Sequence, residues 1–205
     1  MHGDIDDLAR HTDRTASAPS SPSTRRIFVS STYVDLKAHR ALLRQNLERM
    51  RQFPVVMESF GAGGTDATTV SKAEVGASDL VVLLVAWRYG VVPEQATRSI
   101  THQEYELARS LGKPIFVFLA DPATEAGDGP TALFPAKTRN SDFSAQLRDF
   151  RTELINTERH TYDFFTTPED LSAKAVTALA RHILLTGEGG GGSTGPAPFP
   201  GNAPP

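Results

Sequence analysis

The chain has 205 residues, 39% of them apolar and 22% charged, with 21 basic against 24 acidic side chains and a formal net charge of −3. That length suits one domain or two small ones with a real core, and the charge balance leaves no basic footprint for nucleic acid. Cysteine is absent, which excludes disulfides, a thiol nucleophile and cysteine-ligated metal sites, and fits a reducing compartment. The longest apolar run, Leu80 to Trp87, is far short of the roughly 18–20 residues that span a bilayer. No apolar stretch of signal-peptide length opens the chain. A cytoplasmic protein is expected, with neither membrane nor nucleic acid as partner.

Residues 1–24 mix charges with a Ser/Ala/Pro run and lack the apolar content to offset their ordering entropy, so a disordered N-terminal tail is expected. Residues 187–205 are glycine-rich and then proline-rich, the composition of a flexible linker running into a stiffer spacer. The folded domain is therefore expected over residues 25–186.

Within it the hydrophobic period alternates. Arg26 to Ser31 reads as a short buried strand. Thr32-x-x-Asp35 resembles a capping box, opening a helix on which Leu36, Leu43, Leu47 and Met50 recur as far as Gln52. Phe53 to Glu58 is a second strand begun beside a proline. A glycine-rich loop, Gly61 to Asp66, leads to a short helix ending near Ser78. Leu80 to Ala86 is apolar without interruption, as a central parallel strand covered on both faces would be. Thr101-x-x-Glu104 opens a third helix that stops at Gly112 before Pro114. Ile115 to Leu119 is a fourth strand, and Phe143, Leu147, Phe150 and Leu154 mark an amphipathic helix. Thr161 to Phe165 is a weak last strand. Thr167-Pro168-Glu169-Asp170 then starts a helix carrying Leu171, Ala175, Leu179 and Ile183. The pattern predicts an α/β doubly wound fold, a five-stranded mainly parallel sheet of flavodoxin-like order 2-1-3-4-5.

Ligands of such sheets bind at the carboxyl ends of the strands beside the topological switch point. That places Ser30, Ser31, Thr32 and Tyr33 after the first strand opposite Trp87, Arg88, Tyr89 and Gly90 after the third. Glu58 and the helix beginning at Thr101 lie nearby. Gly61 to Asp66 lacks both the dinucleotide fingerprint and the Gly-Lys-Ser/Thr of a P-loop. The six histidines show no ligand spacing, and no Gly-x-Ser-x-Gly elbow occurs. No metal is expected.

Six segments stand in order between Ile27 and Leu119: Phe28-Val-Ser-Ser-Thr32, Asp35-Leu36, Met57-Glu58-Ser-Phe-Gly61, Trp87-Arg-Tyr-Gly90, Thr101-x-x-Glu-Tyr-Glu106 and Gly112-Lys-Pro114. In these the chain resembles the TIR-like domain of unknown function 4062. The resemblance implies an N-terminal module of bacterial signalling proteins. Its partners would be a second copy or a signalling protein met through the TIR-like surface, and a fused or separately encoded nucleotide-binding or repeat module. More distantly, Thr101 to Pro114 is similar to a helix of TIR domains and of nucleoside deoxyribosyltransferase-like proteins. There one glutamate attacks or stabilises the sugar carbon of an N-glycosidic bond, and Glu104 takes its place here. The implied function is a TIR-like effector hydrolysing NAD or a related nucleotide in bacterial defence or signalling, with NAD as substrate and no cofactor. On that reading Trp87 or Tyr89 stacks on the base, while Ser31, Thr32 and Arg88 hold ribose or phosphate. Two alternatives stay open, a non-catalytic interaction module and a deoxyribosyltransferase-like enzyme.

Plainer roles compete at each position. Glu104 is also the acidic member of a capping box with Thr101, close enough to a helix N-terminus for its ionised form to be favoured. Glu58 reads equally as a solvated strand end, Trp87 and Tyr89 as packing, Glu106 as solvent-facing and His102 as an exposed loop residue.

Overall fold

The computed structural model describes residues 24–57, 67–124 and 144–187. The expected tails (save Thr24 and Gly187), the loop Gly61 to Asp66, Glu58 and Phe143 lie outside the described residues. The elements run β1 (Arg26–Ser31), α1 (Lys37–Arg49), β2 (Phe53–Val55), α2 (Ala67–Ala77), β3 (Leu80–Val85), α3 (Ile100–Ser110), β4 (Ile115–Ala120), α4 (Ser144–Ile155), β5 (Tyr162–Phe165) and α5 (Pro168–Gly187). The strands form one parallel sheet in the order β2-β1-β3-β4-β5, as the alternating pattern predicts.

Every residue of β3 is buried, because the strand pairs with β1 and β4 and carries helices on both faces. Ile27 and Val29 of β1 pack with Leu43 and Leu47 of α1 and with Leu171, Ala175 and Leu179 of α5. Phe28 turns to the opposite face, against Val75 of α2 and Ala108 of α3. Farther along that face Tyr105 of α3 meets Leu147, Phe150 and Leu154 of α4. Side-chain alternation along β1 thus sends Ser30 towards α2 and α3, and Ser31 towards α1.

Helix ends follow local chemistry. The α5 start is as expected, with the Asp170 N–H donating 3.1 Å to Thr167 Oγ1. At the end of α3, Gly112 takes φ +65° while its N–H and that of Lys113 bond back to Arg109 O and Ala108 O. This double closure needs a left-handed residue, which glycine adopts without strain.

Three expectations are corrected. Thr32 and Asp35 do not box the start of α1: the helix begins at Lys37 behind Leu36, without a side-chain cap. The Thr32 hydroxyl instead donates to Asp35 Oδ1 within the preceding turn. β2 stops at Val55 rather than Glu58, because only Phe53, Pro54 and Val55 find partners on β1. Thr101 does not cap α3 either. Ser99 does, its Oγ accepting from the His102 N–H at 3.3 Å, since the chain turns helical two residues earlier than the Thr-x-x-Glu spacing suggests.

Among the described residues, no helix is long and apolar enough to cross a membrane, and no group of three or more His, Asp or Glu could hold a metal ion.

Candidate active site

Moving the cap to Ser99 changes the meaning of Glu104. The residue lies in the second turn of α3, beyond the reach of a capping contact, on the face where Thr101, Tyr105 and Ala108 are also buried. Its side chain points into the sheet, leaving 6% of the residue exposed. There it accepts a 2.5 Å hydrogen bond from Ser30 Oγ at the carboxyl end of β1. Ser71 of α2 is the second hydroxyl bearing on it. Ser71 Oγ lies 3.1 Å from Thr68 O as well, the alternative acceptor for its single hydroxyl proton.

Burial pushes the Glu104 carboxyl from 4.5 up to about 7, against the opposing effect of the Ser30 and Ser71 hydroxyls. The expectation of a carboxylate favoured by the helix N-terminus is therefore corrected. The dipole field fades beyond the first turn, and desolvation dominates at this depth. Near neutrality the group populates both protonation states, as an acid or base working at that pH requires. Among the described residues, no cation is among the influences on its acidity.

Around this pair the structure assembles part of the predicted set. Thr32, buried, holds Asp35, whose carboxyl is raised by burial while Thr32 and the charge of Arg88 oppose the rise. Gly90 has φ +95°, and a Cβ there would stand 3.1 Å from Thr32 Cγ2 and 3.7 Å from Thr101 Oγ1. Glycine thus lets the loop after β3 press onto the end of β1, bringing Thr101 beside Thr32. Ser31 lies on the other side of the strand, accepting 3.1 Å from Arg40 Nη1. Tyr33 is exposed, with the Arg40 guanidinium 4.9 Å from its ring centre.

Trp87 and Tyr89, expected to stack on a base, are buried in this structure, as the packing alternative requires. Trp87 lies under Arg151, whose guanidinium is 4.8 Å from the indole and donates 2.6 Å to Ala120 O and 3.3 Å to Val85 O and Ala86 O. Arg151 thereby ties the ends of β3 and β4 together. Tyr89 turns away from Glu104 to the α3–α4 seam, its hydroxyl 2.9 Å from His102 Nδ1. His102 is no exposed loop residue. It is buried in α3, stacked on Phe150 with ring centres 4.0 Å apart, and burial, helped by Arg98, holds its pKa low. Glu106 is half-exposed and ion-paired with Arg98.

Ser71, Arg40 and Arg151 escape sequence reading. A lone serine and two arginines on helices carry no motif, and only the tertiary fold aims them. Cavities of about 560 Å³, lined by Glu106, Leu107, Arg109, Ser110 and Arg159, and of about 470 Å³, between β4, β5 and α5, both lie away from Glu104. The Glu104 carboxyl itself is covered in this structure.

Residues 26–180 match the model of a family described as "Domain of unknown function (DUF4062)". No curated protein matches the chain. Among solved structures it is similar to a CMP N-glycosidase of Clostridium botulinum, with 15% identity, a TM-score of 0.44, and coverage of 77% of this chain and 99% of that one. It is similar also to a 2-desoxiribosyltransferase from Leishmania mexicana, at 17% identity and TM-score 0.41 over 75% and 97% of the two chains. A prokaryotic SEFIR domain matches at 12% identity and TM-score 0.36 over 65% and 100%.

Proposed function

The chain belongs to the DUF4062 family, and we propose that its domain cleaves the N-glycosidic bond of NAD or a related nucleotide, with Glu104 as the catalytic carboxyl. One observation carries this reading. Buried carboxylates are ordinarily paired with a cation, because desolvation is otherwise costly. Among the described residues the partners of Glu104 are hydroxyls, at the carboxyl edge of the sheet beside the β1/β3 switch point. A desolvated, unpaired carboxyl in that position is better suited to chemistry than to stability.

In the reaction the C1′–N bond breaks with its electron pair leaving on the base. Ionised Glu104 stabilises the positive charge that develops on the sugar. Water then bonds to C1′ and gives up its proton to the carboxylate or to solvent. Ser30 holds the carboxyl in place through its 2.5 Å hydrogen bond. Because the carboxyl is covered, the proposal includes activation by self-association or by a tethered partner module that opens the crevice, in a bacterial signalling or defence setting. The deoxyribosyltransferase-like alternative uses the same carboxyl and differs in passing the sugar to a second base instead of water.

Concentrated protein incubated with NAD⁺, with CMP and with nucleosides, with and without an added acceptor base, separates these readings by chromatography of the products. Free base without acceptor supports the hydrolase, and new nucleoside only with acceptor supports the transferase. Glu104→Gln should lower either activity by at least on the order of 100-fold, whereas Glu106→Gln should leave it unchanged. Full activity in Glu104→Gln would remove the assignment.

A further inference from the structure

Tyr33 stands apart from the other aromatic residues at this edge of the sheet, since 45% of it is exposed. Its ring is backed by Arg40, whose guanidinium lies 4.9 Å from the ring centre. Arg40 is itself only 2% exposed. It is pinned by Ser31 Oγ at 3.1 Å, by Thr32 O, and by Tyr33 O at 3.1 Å. The cation thus backs one face of the ring, in a residue that stays largely open to solvent. A pre-set flat surface of this kind stacks on any aromatic base with little loss of side-chain freedom.

The two faces of β1 decide which base that would be. Ser30 and Glu104 lie on the α2/α3 face, whereas Ser31, Arg40 and the Tyr33 ring lie on the α1 face. A base attached to the sugar carbon at Glu104 is bonded directly to that carbon and stays on the α2/α3 side. Only a second aromatic group, carried across the carboxyl edge of the sheet, reaches Tyr33. From Ser30 to Tyr33 the backbone spans at most about 10 Å, within the reach of a pyrophosphate-linked dinucleotide. Arg88, close enough for its charge to act on Asp35, is a cation near that path.

We propose that Tyr33 is the stacking platform for the distal base of a dinucleotide whose scissile sugar lies at Glu104. This rests on the N-glycosidase reading and narrows its substrate class to dinucleotides such as NAD.

The test is calorimetric binding of NAD⁺ and of nicotinamide mononucleotide to concentrated full-length Glu104→Gln protein, in which turnover does not interfere. Adding Tyr33→Leu, which still covers Arg40, should weaken NAD⁺ binding about tenfold or more and leave the mononucleotide unchanged. Tyr33→Trp should restore NAD⁺ binding. Equal weakening of both ligands, no weakening of NAD⁺, or no binding of NAD⁺ at all would overturn the platform. Tyr33-dependent NAD⁺ binding without cleavage by the unsubstituted protein would keep the platform and sink the hydrolase. Cleavage of NAD⁺ that is indifferent to Tyr33→Leu would do the reverse.

Discussion

Replacing Glu104 by Gln should make the domain more stable, and only above about pH 5. The side chain keeps its shape and can still accept from Ser30, but it no longer has a charge to desolvate. In the folded chain the carboxyl is raised from 4.5 to about 7 by burial. Below 4.5 it is protonated whether folded or unfolded, and it has no effect on the pH dependence of stability. Between 4.5 and 7 the folded state holds a proton that the unfolded state releases, so stability falls as pH rises. Above 7 the loss is complete. At about 1.4 kcal/mol per pKa unit it amounts to about 3 kcal/mol, undiminished by solvent screening because the group is buried. Urea denaturation of both proteins from pH 4 to pH 9 should therefore show equal stability at the acid end. The variant should lead by about 3 kcal/mol at pH 8, or roughly 6–12 °C in Tm for a domain of this size. A variant less stable than the parent at pH 8, or a constant difference across the range, would refute the reasoning.

Other substitutions probe the frame around the site. Arg51 ends α1 at φ 58°, with its N–H and that of Gln52 closing on Glu48 O and Leu47 O; Arg51→Gly should relieve the left-handed strain and raise stability by about 1 kcal/mol, read as a higher urea midpoint. Thr167→Ala removes the acceptor for the Asp170 N–H and should cost about 1 kcal/mol in the same assay. His39, packed edge-on against Phe165, is held at about 4 by burial, so its contribution is intact above 6.5 and lost as pH falls towards 4. His39→Leu should narrow the gap between denaturation midpoints at pH 7 and pH 4.5, and an unchanged gap would show that the ring titrates normally.

What the sequence discloses and what it hides follow from how local each signal is. The unbroken apolar run from Leu80 to Val85 locates the central strand because burial on both faces leaves no polar position. The Thr167-Pro168 start of α5 is legible because a cap and an N1 proline act over four residues. Ser99 is harder to choose over Thr101, since both are hydroxyl residues in one turn and only the backbone at Ser99, extended at φ −65° and ψ 159°, decides. Trp87 and Tyr89 mislead because a strand end delivers large side chains either to solvent or to the core. Here α4 supplies the cover, through Arg151 and Phe150. Glu104 is identifiable from its position on α3, but its partners Ser30 and Ser71 arrive from β1 and α2. That juxtaposition exists only in three dimensions.

The central claim is that Glu104 is a working carboxyl rather than a helix cap. It is tested most directly by the rate at which concentrated protein releases free base from NAD⁺ between pH 5 and pH 9. The rate should rise with the ionised fraction of Glu104, whose carboxyl burial raises above its ordinary value, and fall at least on the order of 100-fold in Glu104→Gln. Base release that is flat across this range, or that survives in Glu104→Gln, would contradict it.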